Sequence, residues 1–167
     1  YTAQWPPTTY AVAYNAYGGP LPKGKKMAAQ KMVYGKASPV KKVLKGYTYK
    51  KGSDGYMTLT GFTGRDTTLT TPAKIGKVKV RRIGDNCFRG NVWIKKVIVS
   101  GGVSQIGDYA FEACGMMKGI TLPNTVKIIG DAAFSGCAQM KYCEMPDSVT
   151  SIGTGAFLYC IRLGSVD

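Results

Sequence analysis

Hydrophobic positions repeat every 23 residues from Val80 to the C-terminus. An isoleucine–glycine pair and a phenylalanine five residues after its isoleucine recur at this interval: Ile83-Gly84, Ile106-Gly107, Ile129-Gly130 and Ile152-Gly153, followed by Phe88, Phe111, Phe134 and Phe157. Two further apolar positions repeat in the same step: Ile94, Met117, Met140 and Leu163 at one, and Val97, Ile120, Cys143 and Val166 at the other. Units of this length cannot bury an apolar face alone, so the pattern predicts stacked repeats that share one core, a solenoid.

Within each repeat the pattern predicts two extended pieces and a short helical turn. Apolar and non-apolar residues alternate over residues 118–122. This alternation directs Ile120 and Leu122 inward, while Gly119 and Thr121 face outward. Pro123 ends the strand because proline cannot donate to a β-ladder. Residues 108–114 suit one helical turn with an aspartate at its N-terminus, where a carboxylate is favoured.

The repeat can be written V-x-x-I-G-D-x-A-F-x-x-C-x-x-M/L-K-x-I-x-L-P, and it is nearly complete over residues 103–123 and 126–146. This pattern resembles the BspA-like leucine-rich repeats of bacterial and some protozoan surface proteins, over roughly residues 54 to 167. The first repeat departs from it at Cys87 and Asn91, and the last has Thr154 in place of the aspartate. The resemblance implies a mainly β, leucine-rich-repeat-like solenoid with short helical turns, cell-surface exposure and a role in attachment.

The first 45 residues carry a different pattern. Residues 10–19 read Y-x-V-x-Y-N-A-x-G-G and residues 27–36 read M-x-x-Q-x-x-x-Y-G-K. This order resembles the β-grasp-like Listeria–Bacteroides repeat, also called the internalin B repeat, and residues 1–5 resemble the closing strand of a preceding copy. We therefore predict a partial β-grasp-like module over residues 1–45, a β-rich cap over 46–79 and about four repeats over 80–167, the last incomplete. Because patterns run into both ends, we expect a piece of a longer protein.

The cap is also expected on physical grounds. An open solenoid exposes apolar edges at its ends, and terminal units must cover them. Residues 56–60 and 66–71 are β-prone runs separated by glycine-rich turns, which favours a lid of two or three strands over the first repeat.

Charge is distributed unevenly along the chain. The net charge is +14, and residues 1–53 hold ten lysines and no acid, while the remainder has thirteen basic and nine acidic residues. This asymmetry predicts attraction to polyanions such as cell-wall polymers, sulfated glycans or nucleic acid, although a solvated lysine-rich surface explains it equally. No run of about 18–20 apolar residues predicts a membrane span, and no secretory signal pattern is present.

Catalytic and metal chemistry find little support. The chain has no histidine, no nucleotide-binding glycine motif and no paired C-x-x-C spacing. Its cysteines fall at apolar repeat positions and are expected to pack in the core with the phenylalanines. The predicted structural core residues are Phe88, Phe111, Phe134, Phe157, Cys114, Cys137 and Cys160. Asp85, Asp108 and Asp131 share one position, which suits a calcium ladder or, more simply, capping of each turn. We expect no enzyme activity, no cofactor and no metal.

The outward positions of the longer strand are the candidate binding surface, because one residue per repeat builds an extended column. The candidate ligand-binding residues are Lys95, Lys118, Lys141, Lys96, Tyr142, Thr121 and Glu144. Alternatively, lysines at a strand start only keep an edge soluble. The expected partners are a protein of a host or neighbouring cell, or an anionic glycan or cell-wall polymer, with no specific nucleic acid.

Three functions fit these features. The first is a non-catalytic adhesion or recognition segment at the cell surface, in a bacterial cell wall. The second is a targeting module of a larger surface enzyme. The third is a structural element whose repeats self-associate end to end into a fibre.

Overall fold

The computed structural model describes residues 46–164, in which eleven β-strands and no helix form a solenoid of stacked rungs. The strands are β1 (Tyr47–Lys51), β2 (Met57–Phe62), β3 (Thr68–Thr70), β4 (Lys74–Ile75), β5 (Val78–Ile83), β6 (Lys96–Ile98), β7 (Gln105–Ile106), β8 (Gly119–Thr121), β9 (Ile128–Ile129), β10 (Tyr142–Glu144) and β11 (Ser151–Ile152). The β-grasp-like module predicted for residues 1–45 lies outside the described residues, as do the predicted ladder members at positions 165–167.

Two sheets form opposite walls of the solenoid. One has the order β1-β2-β5-β7-β9-β11 with β4 paired to β5, and the other has the order β10-β8-β6-β3. Strands of successive rungs pair in parallel, so Ile83 lies beside Ile106 and Ile106 beside Ile129. In the other sheet Val97 lies beside Ile120, which lies beside Cys143. The 23-residue step therefore places equivalent side chains directly above one another.

The segment between the two strands of a rung is the turn wall, made of residues 84–91, 107–114, 130–137 and 153–160. Some of its N–H groups bond to a carbonyl three residues earlier, as Cys114 N does to Phe111 O at 3.1 Å. Alternate N–H groups donate to the next rung, as Phe111 N does to Ala133 O at 2.7 Å. The turn wall is thus a series of β-turns bonded both within and between rungs.

Left-handed residues explain why the turn wall is not helical. Two positions per rung have positive φ: Asn86, Tyr109, Ala132 and Gly155 at one, and Gly90, Ala113, Gly136 and Tyr159 at the other. A non-glycine residue there costs about 1–2 kcal/mol, and a helix cannot continue through it. The bonds between rungs require this alternation, so the expected helical turn over residues 108–114 forms as consecutive β-turns.

The core contains a stack of phenylalanine rings. Phe88 and Phe111 lie 4.7 Å apart between ring centroids, Phe111 and Phe134 5.4 Å, and Phe134 and Phe157 5.2 Å, with interplanar angles of 7°, 10° and 16°. Each such pair contributes about 0.5–1.5 kcal/mol beyond the burial of its area. The first three rings are fully buried, while Phe157 in the last described rung is half-buried.

The β1–β2 hairpin covers the first rung. β2 pairs in parallel with β5, and Phe62 and Tyr47 extend the aromatic stack, with the Phe62 ring centroid 5.6 Å from that of Phe88. Residues 66–71 do not join this hairpin, because β3 pairs with β6 as the first strand of the four-stranded sheet. The boundary expected between residues 79 and 80 falls inside β5.

The glycine of the Ile-Gly pairs is required by packing and not by its φ angle. A Cβ at Gly130 would lie 2.7 Å from Asp108 N and 2.7 Å from Gly107 C, and Gly107 and Gly153 meet the same obstacle in their preceding rungs. The aspartates also link rungs directly, since Asp108 Oδ1 accepts a hydrogen bond from Asp131 N at 2.9 Å. The expected capping carboxylate therefore bonds to the neighbouring rung.

The predicted fold class is confirmed: the described chain is a mainly β solenoid with a repeat of about 23 residues. It differs from the expectation in that its turns are not helical and that residues 66–71 contribute to the four-stranded sheet instead of the cap hairpin. None of the described residues forms a helix of the length and apolar character that membrane crossing requires.

Candidate functional site

The four-stranded sheet presents the candidate binding residues in three parallel rows. The first row, just before the strands, is the lysine column of Lys95, Lys118 and Lys141. The second row contains Lys96 and Tyr142 with Gly119 between them, and the third contains Ile98, Thr121 and Glu144. Together these three rows are called the strand face. The buried residues of the same strands, Val97, Ile120 and Cys143, anchor it to the core.

The lysine column is held by the backbone. Lys118 N donates to Lys95 O at 2.7 Å and Lys141 N donates to Lys118 O at 2.8 Å, so the three residues are direct neighbours along the stack. All three are exposed. Residues 46–164 contain two ion pairs, Arg82–Asp54 and Arg89–Glu112, and neither involves a lysine. Because adjacent rungs lie about 4.8 Å apart, the column concentrates uncompensated positive charge.

Gly119 allows Tyr142 to lie flat on the second row. A side chain at position 119 would clash with the Tyr142 ring, and Gly119 is buried although it faces outward. The ring thereby covers the backbone of β8 at Gly119 and remains partly exposed itself. An aromatic ring held beside the lysine column gives the strand face an apolar element next to its charge.

The third row is mixed in character. Ile98 and Glu144 are exposed and Thr121 is half-exposed between them. Glu144 places a carboxylate at one end of a face that is otherwise basic, so the first two rows offer a more uniform surface to an anion.

Burial disfavours nucleophilic chemistry at four of the five described thiols. Burial raises the pKa of Cys114 and that of Cys143 to about 12, and burial also raises the pKa of Cys87. The Sγ atoms of Cys114 and Cys137 donate to Phe88 O and Phe111 O of their preceding rungs, at 3.1 and 3.2 Å. Four of the thiols, those of Cys87, Cys114, Cys137 and Cys143, act as buried packing groups. The predicted core residue Cys160 is only half-buried, and its hydrogen bond with Cys137 lowers the pKa of Cys160. All five cysteines are free.

The described acidic residues are dispersed. Asp54 bonds to Arg82, which lowers the pKa of Asp54, and Glu112 bonds to Arg89. Asp85, Asp108 and Asp131 each accept a backbone N–H of the next rung. The described residues hold no group of three or more His, Cys, Asp or Glu side chains that could bind a metal ion.

A basic groove on the opposite sheet was missed by the sequence interpretation. It brings Tyr56 of the hairpin loop beside Lys79, Arg81 and Lys127. The signal available in the sequence was the recurrence of polar residues one repeat apart, at Arg81, Ser104 and Lys127. The position of Tyr56 depends on the pairing of β2 with β5, which lies outside the repeat pattern.

Comparisons with known proteins agree with the geometry. Residues 70–167 match the family model for the BspA type leucine rich repeat region, in six copies. The chain is similar to the leucine-rich repeat protein TpLRR of T. pallidum, with 25% identity and a TM-score of 0.65 over 73% of this chain and 68% of that one. No curated protein matches the chain.

Two further solved structures are similar. A leucine-rich repeat protein from Bacteroides capillosus shows 25% identity and a TM-score of 0.67, over 74% of this chain and 94% of that one. A leucine rich cell surface protein from Faecalibacterium prausnitzii shows 27% identity and a TM-score of 0.59, over 72% of this chain and 40% of that one.

Proposed function

Because the chain belongs to the BspA-type leucine-rich-repeat family, we propose that it is a non-catalytic recognition module at the cell surface that binds an anionic polymer through the strand face. The observation that carries the proposal is the lysine column, in which three exposed lysines adjoin one another without an ion-pair partner among the described residues. A repeating polyanion, such as a glycan or cell-wall polymer, matches a column that repeats at the strand spacing.

The expected affinity follows from the exposure of the column. An exposed charge pair contributes about 0.2–1 kcal/mol, so three pairs give weak binding at a single site. Repeated contacts along one polymer raise the apparent affinity by avidity. Binding should weaken steeply with salt, because the Debye length falls from about 10 Å at 0.1 M to about 3 Å at 1 M.

The alternative of a head-to-tail fibre receives less support. The edge strand at this end of the seven-stranded sheet is β1 of an antiparallel hairpin, whereas successive rungs pair in parallel. A second copy could therefore continue the rung pairing of this sheet only by displacing the hairpin. A targeting role within a larger surface enzyme remains compatible with the proposed binding, since it would use the same strand face.

The proposal is tested with matched charge variants of the full chain. The column variant replaces Lys95, Lys118 and Lys141 by Gln, and the control variant replaces the exposed Arg65, Lys77 and Arg162 by Gln. Both lose three charges and keep the lysines of residues 1–53. Binding to an immobilised sulfated glycan is measured at 0.1 M and 0.5 M salt. We expect at least a fivefold greater loss for the column variant at 0.1 M, and equal losses would show that attraction is diffuse and that the column has no special role.

A further inference from the structure

The basic groove lies on the side of the seven-stranded sheet, away from the strand face. It has a volume of about 380 Å³, and its polar lining comes from the hairpin loop and three successive rungs: Tyr56, Lys79, Arg81, Ser104, Thr125 and Lys127. Three of these side chains are cationic and none is a carboxylate. The volume lies in the range of small-ligand sites in proteins.

Arg81 is held in a defined orientation. Its guanidinium carbon lies 4.5 Å from the Tyr56 ring centroid, and its Nε donates to Ser104 Oγ at 3.4 Å. Within residues 46–164 its two terminal nitrogens have no hydrogen-bond or ion-pair partner. A planar guanidinium with a free pair of N–H donors forms bidentate hydrogen bonds to a carboxylate or sulfate. Its fixed position lowers the conformational entropy that is lost on binding.

The groove has a second cationic end. Arg81, Ser104 and Lys127 occupy one repeat position on successive rungs, with Ser104 N bonded to Arg81 O at 2.8 Å and Lys127 N to Ser104 O at 2.9 Å. Arg81 and Lys127 are therefore separated by two strand spacings, about 9.6 Å. This span suits a ligand that carries two anionic groups separated by a polar segment, which the Ser104 hydroxyl can contact.

Local repulsion adds to the attraction for an anion. Lys79 lies directly opposite Lys74 in the antiparallel pair of β5 and β4, and like charges in such a pair destabilise it. Asp54 does not line the groove, because its carboxylate bonds to Arg82 Nη1 at 2.7 Å. Arg82 is the main cause of the lowered pKa of Asp54, and Arg81 contributes less. A bound anion would relieve the repulsion between the two lysines.

We infer that the basic groove binds a short anionic oligosaccharide, with one carboxylate or sulfate on Arg81 and a second near Lys127. Ser104 Oγ, which donates its own proton to Arg81 O at 3.4 Å, can accept a hydrogen bond from a sugar hydroxyl between the two charges, and the amide of Asn124 can donate or accept one. The inference goes beyond the proposed function and rests on it only for the class of partner. The groove and the lysine column are different sites on different sheets.

The test compares Arg81→Lys with Arg65→Lys in the full chain. Both substitutions keep the charge, but only the first removes the paired N–H donors from the groove. Titration calorimetry with a heparin-derived hexasaccharide should show about tenfold weaker binding for Arg81→Lys, the loss expected for one charge-assisted hydrogen bond, and less than a twofold change for Arg65→Lys. A hyaluronan hexasaccharide, which carries carboxylates without sulfate, distinguishes the two anionic groups.

Equal affinities of the two variants would overturn the inference. It would also be overturned if a glutamate hexapeptide bound as tightly as the oligosaccharides and lost the same factor with Arg81→Lys. If Arg81→Lys lowers the melting temperature, Lys127→Gln compared with Lys77→Gln supplies the same test at exposed positions. Repeating the Arg81→Lys measurement in the column variant separates the two proposals. If the groove binds the oligosaccharide, Arg81→Lys should weaken binding by the same roughly tenfold factor whether or not the column lysines are present.

Discussion

Gly130→Ala should destabilise the solenoid strongly, whereas Gly115→Ala should not. The Cβ added at position 130 would lie 2.7 Å from both Asp108 N and Gly107 C, and these are backbone atoms that cannot rotate away. At Gly115 an added Cβ meets no atom within 4 Å and the φ angle is not in the left-handed region. The two variants add the same methyl group to the same protein, so they differ only in packing.

The magnitude follows from the bonds that hold the rungs together. To relieve the clash, the rung must move away from its neighbour, which lengthens the hydrogen bond from Gly130 N to Ile106 O, now 2.9 Å, and that from Asp131 N to Asp108 Oδ1, also 2.9 Å. Weakening two bonds costs about 1 kcal/mol each, and overpacking costs about 1–3 kcal/mol. We expect a loss of about 2–4 kcal/mol, or a melting temperature lower by about 10 °C. Gly115→Ala should gain about 0.4–1 kcal/mol through the unfolded chain.

Urea and thermal unfolding followed by circular dichroism would measure both variants. A double variant, Asp108→Ala with Gly130→Ala, tests which atoms cause the clash. Removing the Asp108 carboxylate leaves the backbone contacts in place, so the double variant should recover little stability. A melting temperature of Gly130→Ala within about 2 °C of the parent would refute the reasoning, because a shift of about 10 °C is expected, and full recovery in the double variant would assign the clash to the side chain alone.

Three further predictions concern the turn wall, the aromatic stack and the thiols. Ala132→Gly, at φ 48°, should raise stability by about 0.5–1 kcal/mol, whereas Ala138→Gly, where φ is negative, should lower it; opposite signs in urea unfolding check this. Phe111→Leu, between two stacked rings, should cost at least about 1 kcal/mol more than Phe157→Leu, which has one stacked neighbour, and equal melting temperatures would contradict this. Burial raises the pKa of Cys143 from about 9 to about 12, so above about pH 9 the unfolded state loses a proton that the folded state keeps. The free energy of unfolding should therefore fall between about pH 9 and 12, by up to about 1.36 kcal/mol per pH unit. This slope should be smaller in Cys143→Val.

The parts of the fold that repeat were accessible from the sequence. A 23-residue step places each phenylalanine on the next one, so periodicity alone predicted the stack of Phe88, Phe111 and Phe134 and the parallel pairing of the strands. The turn wall was not accessible, because the local composition of residues 108–114 favours a helix. Hydrogen bonds between rungs override that preference and force Tyr109 and Ala113 into the left-handed region.

The candidate site divides in the same way. The rows of the strand face follow from strand alternation and the repeat, so the positions of Lys95, Lys118 and Lys141 could be predicted. The flat orientation of Tyr142 was not predictable from the repeat. It depends on the absence of a side chain at Gly119, and the two repeats carry different residues at this position. The basic groove depends on the hairpin, whose pairing has no counterpart in the repeats.

The peptide groups of the turn wall share one electrical polarity, opposite to that of the bonds from Lys118 N to Lys95 O and from Lys127 N to Ser104 O on the other walls. Its alternate N–H groups point toward the later rung in each described interval, as from Phe88 to Ala110, from Phe111 to Ala133 and from Phe134 to Ala156. Aligned peptide dipoles add along such a column, as they do along a helix axis, and the sum grows with each rung. In the last described rung, the N–H groups of residues 155, 157 and 159 have no acceptor among the described residues. A turn wall with no helix thus carries the aligned peptide dipoles of a helix, with the positive direction toward its later rungs.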